Sequence, residues 1–569
     1  MDRRTLLALA LMAIVIVVTP ILFPSARRPV KPDTSAQPST AAEPPAPTNA
    51  PSTAAAASTP ASATTATTTA TVGPSMSEPR PQRPVDSVTV QGARTQQVYA
   101  NPGAAPARVE VTGFHSLRPG SKGGTLIIAP LRSALLHYRL ALGADTIALD
   151  TVSFTSATSG ATTTFTSSSP AITLAYTPVG DGLRTEVRGT VTNAPPGSAL
   201  LIDLPSTFRS NEADTLDDQR HFAFGYKLPL RDPTSVPFSK LDVNTVRTDT
   251  GSFQWVNARD KYWLVALMQP VGAQKPVGVF RGLVMRGGVR VGRVAPTAYA
   301  TTSYPLAAGT AQIAFDMYIG PQSFQELRAL DNDLVNVNPY AGWLHGIVQP
   351  FATIVMRVLL WMKANFHVNY GWVLVLFGVG IRLILWPLNQ KAMRTSIGMQ
   401  RLQPELTEIQ KKYKNEPEKQ REALVKLYAS HGMSPLSPML GCLPMLLPMP
   451  VLFALYFVFQ NTIEFRGVSF LWLPDISLRD PYYIIPLVMG ASMFLLSWIG
   501  MKAAPPNPQA KVMSYMMPAM FTMMFLNFAS GLNLYYAVQN IAALPQQIVL
   551  SRERAKSGVK APDPGRGKK

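Results

Sequence analysis

Full charges are missing from three long stretches of this chain, and their absence constrains the fold more than any other feature. No Asp, Glu, Lys or Arg lies between Lys426 and Glu464, between Asp480 and Lys502, or between Lys511 and Arg552. From Lys363 to Lys391 the single intervening charge is Arg382. A helix that crosses a bilayer needs about 20 apolar residues, and each gap holds at least one such helix. The stretch 512–551 has 40 residues. As one helix it would be about 60 Å long, twice the ~30 Å hydrocarbon core, so it must fold as two spans. Ala529-Ser530-Gly531 is the natural turn between them. The expected spans are 369–388, 441–460, 482–501, 512–528 and 532–550. Residues 1–23, with an apolar run from Leu6 to Phe23 behind Arg3 and Arg4, add a sixth. Its only small-residue exit, Pro24-Ser25-Ala26, is a poor cleavage site, so a retained anchor is expected.

Charge distribution orients these spans. The net charge of +19 would suit a nucleic-acid binder if it were spread over a folded domain. Residues 85–340 are instead nearly balanced, with 22 Lys+Arg against 19 Asp+Glu. The excess sits in 391–426, with nine positive and five negative charges, and in 552–569, with seven and two. Both segments flank apolar spans, and Lys and Arg beside spans stay cytoplasmic. Six spans put both termini and every basic segment on the inside. The chain is thus expected in the inner membrane, multi-pass.

Residues 24–84, rich in Pro, Ala, Thr and Ser, cannot bury a core and read as a disordered linker. Residues 85–335 read as a large periplasmic all-β sandwich. Short β-rich runs recur there between turn residues: Val109-Glu110-Val111, Thr125 to Ile128, Ala171 to Tyr176, Thr185 to Val191, Trp263 to Met268, Val277 to Met285 and Ala311 to Ile319. Residues 340–366 space Trp343, Ile347, Phe351, Ile354, Val358, Leu359 and Met362 as on a helix, interrupted by Arg357 and Lys363. An amphipathic helix lying in the membrane interface is predicted. The fold class is therefore a membrane α-helical bundle: a five-helix core in 367–550, an anchor helix, the β-domain, and a cytoplasmic helical hairpin over 391–432. In that hairpin Leu402, Leu406, Ile409 and Tyr413 form one apolar stripe, and Ala423, Leu424, Leu427 and Tyr428 another. Asn415-Glu416-Pro417 separates them. Residues 551–569 form a basic tail.

Enzyme chemistry finds no foothold. The six histidines form no metal-ligand pair, and there is no nucleophile elbow or phosphate loop. The single cysteine, Cys442, lies in an apolar stretch and excludes an intrachain disulfide. No enzyme activity, metal or cofactor is expected. Arg382 stands out instead. A charge inside a span faces protein or a water-filled cavity, unless its stem snorkels to the headgroups. None of spans two to six contains Asp or Glu, so no acidic partner is available within them. Asn533, Tyr535, Tyr536, Gln539 and Asn540 cluster on the last span. They are either interhelical glue or a polar wall facing Arg382. Methionines gather in 439–449 and 513–524; such flexible side chains suit either plain lipid and core contact or a surface that accepts many apolar partners.

Taken together, several motifs resemble the YidC/Oxa/Alb family of membrane insertases. They are Arg382 with Trp386-Pro387-Leu388, Leu402-Gln403-Pro404, and Pro435 to Pro450 with Gly441-Cys442-Leu443-Pro444 and Met449-Pro450. Asp480-Pro481-Tyr482-Tyr483, Pro486, Ser530-Gly531-Leu532 and Tyr535-Tyr536 complete the set. The resemblance implies a membrane insertase and chaperone that inserts, folds and helps assemble integral membrane proteins, alone or with the Sec translocon. It implies a hydrophilic groove holding Arg382, Tyr535, Tyr536 and Asn540. It also implies an apolar slide formed by Leu443, Met445, Met449, Met520, Phe521, Met524 and Phe525. Implied partners are nascent membrane proteins, membrane lipid, and the ribosome and signal-recognition-particle receptor through hairpin and tail. The alternative, a solute transporter or channel, would call for paired intramembrane charges or two repeated halves with broken helices, and neither is found in the sequence.

Overall fold

In the computed structural model, residues 86–130, 134–273, 278–288, 296–330, 332–338, 345–413, 416–430, 449–502 and 508–556 are described. The expected anchor 1–23, the linker 24–84 and the tail from 557 onward lie outside these residues.

Alternating apolar and polar residues make the β-domain. In the strand Ala171–Val179 the side chains of Ile172, Leu174 and Tyr176 are buried, every second one. That is the period with which a pleated strand turns one face inward. Trp263–Met268 is buried at every position, as expected of a strand covered on both faces. Nine antiparallel strands form the largest sheet. Their spatial order is Thr234–Pro237, Ala223–Lys227, Trp255–Arg259, Trp263–Met268, Gly309–Pro321, Arg184–Ala194, Ala171–Val179, Thr162–Ser168 and Thr155–Ser159. A six-stranded sheet runs from Arg247–Phe253 through Phe280–Gly287, Ala298–Pro305, Ala199–Asp203 and His137–Leu142 to Asp145–Ala148. A four-stranded sheet joins Asp86–Gln91, Thr95–Asn101, Ala105–His115 and Thr125–Ile128. One buried cluster draws side chains from all three, among them Tyr99, Leu174, Leu200, Phe315 and Trp263. Full burial of each such side chain contributes roughly 1.5–3 kcal/mol.

Two short helices decorate this domain, α1 (Thr215–Arg220) and α2 (Phe324–Ala329). Helices α3 (His345–Phe366) and α4 (Tyr370–Arg401) follow, then α5 (Gln403–Lys412) and α6 (Pro417–Ser430). The chain continues with α7 (Met449–Asn461), α8 (Ile484–Lys502), α9 (Pro508–Phe525) and α10 (Ser530–Lys556). Among the described residues two segments are long and apolar enough to cross a membrane, Tyr370–Gln390 and Ile484–Lys502. Helix α10 lies between α4 and α8; α9 packs on α8, and α3 on α7.

Three local findings differ from the sequence expectations. Helix α3 buries Val348, Ala352, Val355, Met356 and Leu359, yet it exposes Phe351, Ile354, Val358 and Trp361. One side packs on α7, and the outward side is mainly apolar with Arg357 exposed among these residues. Helix α4 does not stop near residue 388 but continues to Arg401. Pro387 lies inside it and fails to end it. Gly531 is in the first turn of α10 rather than at a chain reversal. A Cβ there would collide with the ring of Phe459, so glycine is needed for close packing.

The segment between α7 and α8 joins the helices to the β-domain. Arg466 Nε donates to both carboxylate oxygens of Glu212, at 2.9 and 2.8 Å. Its Nη2 donates to the carbonyls of His115 and Asn211, and its guanidinium lies 5.6 Å from the centre of the Trp263 ring. The two charged side chains are 4% and 6% exposed. Ile463 enters the β-domain core. Glu464 Oε1 accepts from the Phe324 amide at 3.1 Å, and burial pushes this carboxyl up. Next to Glu212, burial and neighbouring carboxylates hold Asp218 and Asp260 above the usual carboxyl range. Asp480 ends the segment by accepting from the amides of Tyr482 and Ile485, at 2.9 and 2.7 Å. This satisfies amide donors where α8 begins.

Candidate functional site

Helices α4, α7, α8 and α10 line an open cavity of about 340 Å³ whose walls mix polar and apolar side chains. Arg382 reaches it from α4 and Ser497 from α8. Tyr535, Tyr536, Gln539, Asn540, Gln546 and Gln547 come from successive turns of α10, and Leu452 closes the wall from α7. Residues three, four and seven apart on a helix share a face, so α10 turns 536, 539, 540, 543, 546, 547 and 550 in one direction.

Arg382 is half-buried. Its Nη2 donates to Gln546 Oε1 at 2.9 Å. Its Nε has no hydrogen-bond partner, and no carboxylate among the described residues forms an ion pair with it. Gln546 is 1% exposed, and its Nε2 donates to the Trp386 carbonyl at 3.2 Å and to Gln390 Oε1 at 3.3 Å. Gln539 Nε2 donates to the Gly378 carbonyl at 2.8 Å and to the Tyr535 hydroxyl at 3.3 Å. Asn540 Nδ2 donates to the Met489 carbonyl at 3.4 Å. The cavity thus offers a cation, amides and phenols inside an otherwise apolar bundle.

All four residues expected in a groove, Arg382, Tyr535, Tyr536 and Asn540, line this one cavity. Asn533 does not: it is fully buried and its Nδ2 donates to the Phe525 carbonyl at 3.0 Å, which satisfies the end of α9. The seven residues of the expected slide divide. Leu443 and Met445 lie outside the described residues, as does the side chain of Met449. Met520, Phe521 and Met524 are partly exposed on α9. Phe525 is a correction: at 2% exposure it packs on Phe528 and Tyr536, with ring centres 4.8 and 5.5 Å away. It supports the cavity wall from behind. Sequence reasoning passed over Gln546, Asn389 and Ser497. The first two were within reach, since Asn389 follows Arg382 by seven residues and Gln546 follows Gln539 by seven.

An arginine in a cavity among apolar helices, two of which contain segments long and apolar enough to cross a membrane, is joined to an antiparallel β-sandwich, the make-up of a membrane-protein class with a large β-domain. Two family models match the chain. The "60Kd inner membrane protein" model covers residues 361–557 and the "YidC periplasmic domain" model residues 154–354. The curated "Membrane protein insertase YidC" of Magnetococcus marinus is 35% identical over 307 residues, 54% of this chain and 52% of that one. Its namesake from Anaeromyxobacter dehalogenans is 34% identical over 322 residues, 56% and 54% of the two chains. This chain spans about half the length of these curated relatives. A solved structure described as an active YidC insertase aligns with 86% of this chain and 96% of its own, at 17% identity and a TM-score of 0.30. The chain belongs to the YidC family. Its β-sandwich is the family's periplasmic domain, and its helical part matches an inner-membrane protein.

Proposed function

We propose that this chain is a membrane protein insertase and chaperone of the inner membrane, acting alone or with the Sec translocon. The observation that carries this is Arg382, which faces a polar cavity with no carboxylate beside it. A charge left in such a place is costly and has a use if a passing chain supplies the counter-charge. The polar, outward-bound part of a nascent membrane protein enters the cavity, which shortens its path through hydrocarbon. Its apolar part leaves along α7 and α9 into lipid, past Met520, Phe521 and Met524. Burial of that apolar helix provides the driving force, so no nucleotide is required.

The layout that goes with this function has six spans. Both termini are cytoplasmic, α3 lies in the interface, and the hairpin of α5 and α6 is on the inside. In that hairpin Leu402, Leu406 and Tyr428 form a small core with Leu424 and Leu427, a docking arm for the ribosome or the signal-recognition-particle receptor. The test is reconstitution. Full-length protein in liposomes inserts a single-span cargo with a short acidic outer segment, and Arg382→Ala lowers that insertion about tenfold, the loss of one charge-assisted contact of ~1.4 kcal/mol. Arg382→Lys retains most of the activity. Liposomes that insert no such cargo with the unmodified protein would overturn the function.

A further inference from the structure

We infer that Gln546 is a positioning residue for Arg382, one that holds the guanidinium in the cavity without neutralising it and so reserves its charge for a carboxylate on the cargo. This rests on the groove reading above and adds a positioning residue to it. The orientation of the Gln546 amide follows from its partners. Arg382 has only donors and the Trp386 carbonyl only acceptors. Oε1 must therefore face Arg382 and Nε2 must face Trp386, as the contacts of 2.9 and 3.2 Å have it. Gln390 Oε1 at 3.3 Å holds the same Nε2. At 1% exposure the side chain has little freedom to turn.

A neutral acceptor is the one kind of group that meets both needs. Glutamate in this place would form a full ion pair with Arg382 and set a second acceptor against the Trp386 carbonyl. An aliphatic side chain would leave the guanidinium unheld. With glutamine, one N–H of the terminal Nη2 is engaged and the guanidinium keeps its full charge. The planar guanidinium fork binds a carboxylate with two parallel N–H groups. A cargo whose outer segment carries Asp or Glu is the ligand this geometry favours.

The experiment compares two cargoes that differ only in whether the outer segment carries Asp or Asn, inserted by the reconstituted full chain. Gln546→Glu lowers insertion of the Asp cargo about tenfold more than that of the Asn cargo, because the internal carboxylate now competes. Gln546→Met gives the same preference in weaker form. In an Arg382→Ala background the Gln546→Glu change no longer discriminates between cargoes. Equal losses for both cargoes in Gln546→Glu would mean a purely structural role and overturn the inference, as would no loss for either. If Arg382→Ala itself fails to separate the cargoes, the groove reading falls. If Arg382→Ala separates them and Gln546→Glu does not, this inference alone falls.

Discussion

Two arginines, one buried and one half-buried, contrast the two halves of this molecule. Arg466, at the junction with the β-domain, meets the Glu212 carboxylate, two backbone carbonyls and a tryptophan ring. Arg382, in the bundle cavity, meets one neutral amide. Moving a charge out of water costs several kcal/mol, which only a close counter-charge and further hydrogen bonds offset. At the junction that compensation is complete, and the result is a fixed attachment between residues 254 apart in sequence. In the cavity no carboxylate supplies it, and one neutral amide is the partner. Burial of an arginine by itself distinguishes neither; the carboxylate does.

The comparison breaks most sharply at Glu212. Glu212→Ala leaves Arg466 buried and uncompensated, and should cost about 3–5 kcal/mol, seen as a fall in thermal midpoint of the full chain in detergent. The double change Glu212→Met with Arg466→Met should recover most of that loss, since a buried pair replaced by apolar residues is often near neutral. In the bundle the sensitive points are steric. A Cβ at Gly490 of α8 would collide with Thr522 of α9. Gly490→Ala should therefore cost about 1–3 kcal/mol as an overpacking change, read by the same melt, and should shift the Asn540 contact with Met489 on the cavity wall.

A pH series sharpens the contrast further. Asp218 is raised above its ordinary value of 3.8 by burial and by Glu212, so in that range the folded state binds more protons than the unfolded one. Its contribution to stability is full below 3.8 and is lost as pH rises toward the folded value. Asp218→Asn should flatten this fall, measured as urea midpoints from pH 4 to 8 (about the span of a buried carboxyl's shift), and should not change how Arg382 discriminates between cargoes. The smallest effect is expected at Glu464, a buried carboxyl with no ion-pair partner among the described residues. Glu464→Gln keeps the acceptor for the Phe324 amide and should change stability by less than about 1 kcal/mol.

Much of the fold was legible from one-dimensional pattern. The strands at Thr125–Ile128 and Trp263–Met268 run between the very residues that the β-rich runs marked. The charge-free gaps contain α7 and most of α8, α9 and α10, and Tyr535, Tyr536 and Asn540 line the cavity with Arg382. Phe525 was misread because a lipid-facing and a core-facing residue are equally apolar, so composition does not say which way a side chain points. The heptad step from Gln539 places Gln546 on the same helix face, but its contact with Arg382 depends on how α4 and α10 pack.

The sequence by itself determined where charge is absent, which segments alternate and which repeat helically, and that Arg382 has no acidic residue on its own span. These are local properties, set by the solvation cost of each side chain and the period of the backbone. Only the tertiary structure decided that Arg466 meets Glu212 while Arg382 meets Gln546. Both contacts join residues more than a hundred positions apart, and nothing in the chain's local chemistry encodes which distant group will stand within 3 Å of a guanidinium (about one hydrogen-bond length). That pairing follows from how the helices and sheets pack, and it separates the arginine that fastens the molecule together from the one that meets only a neutral amide.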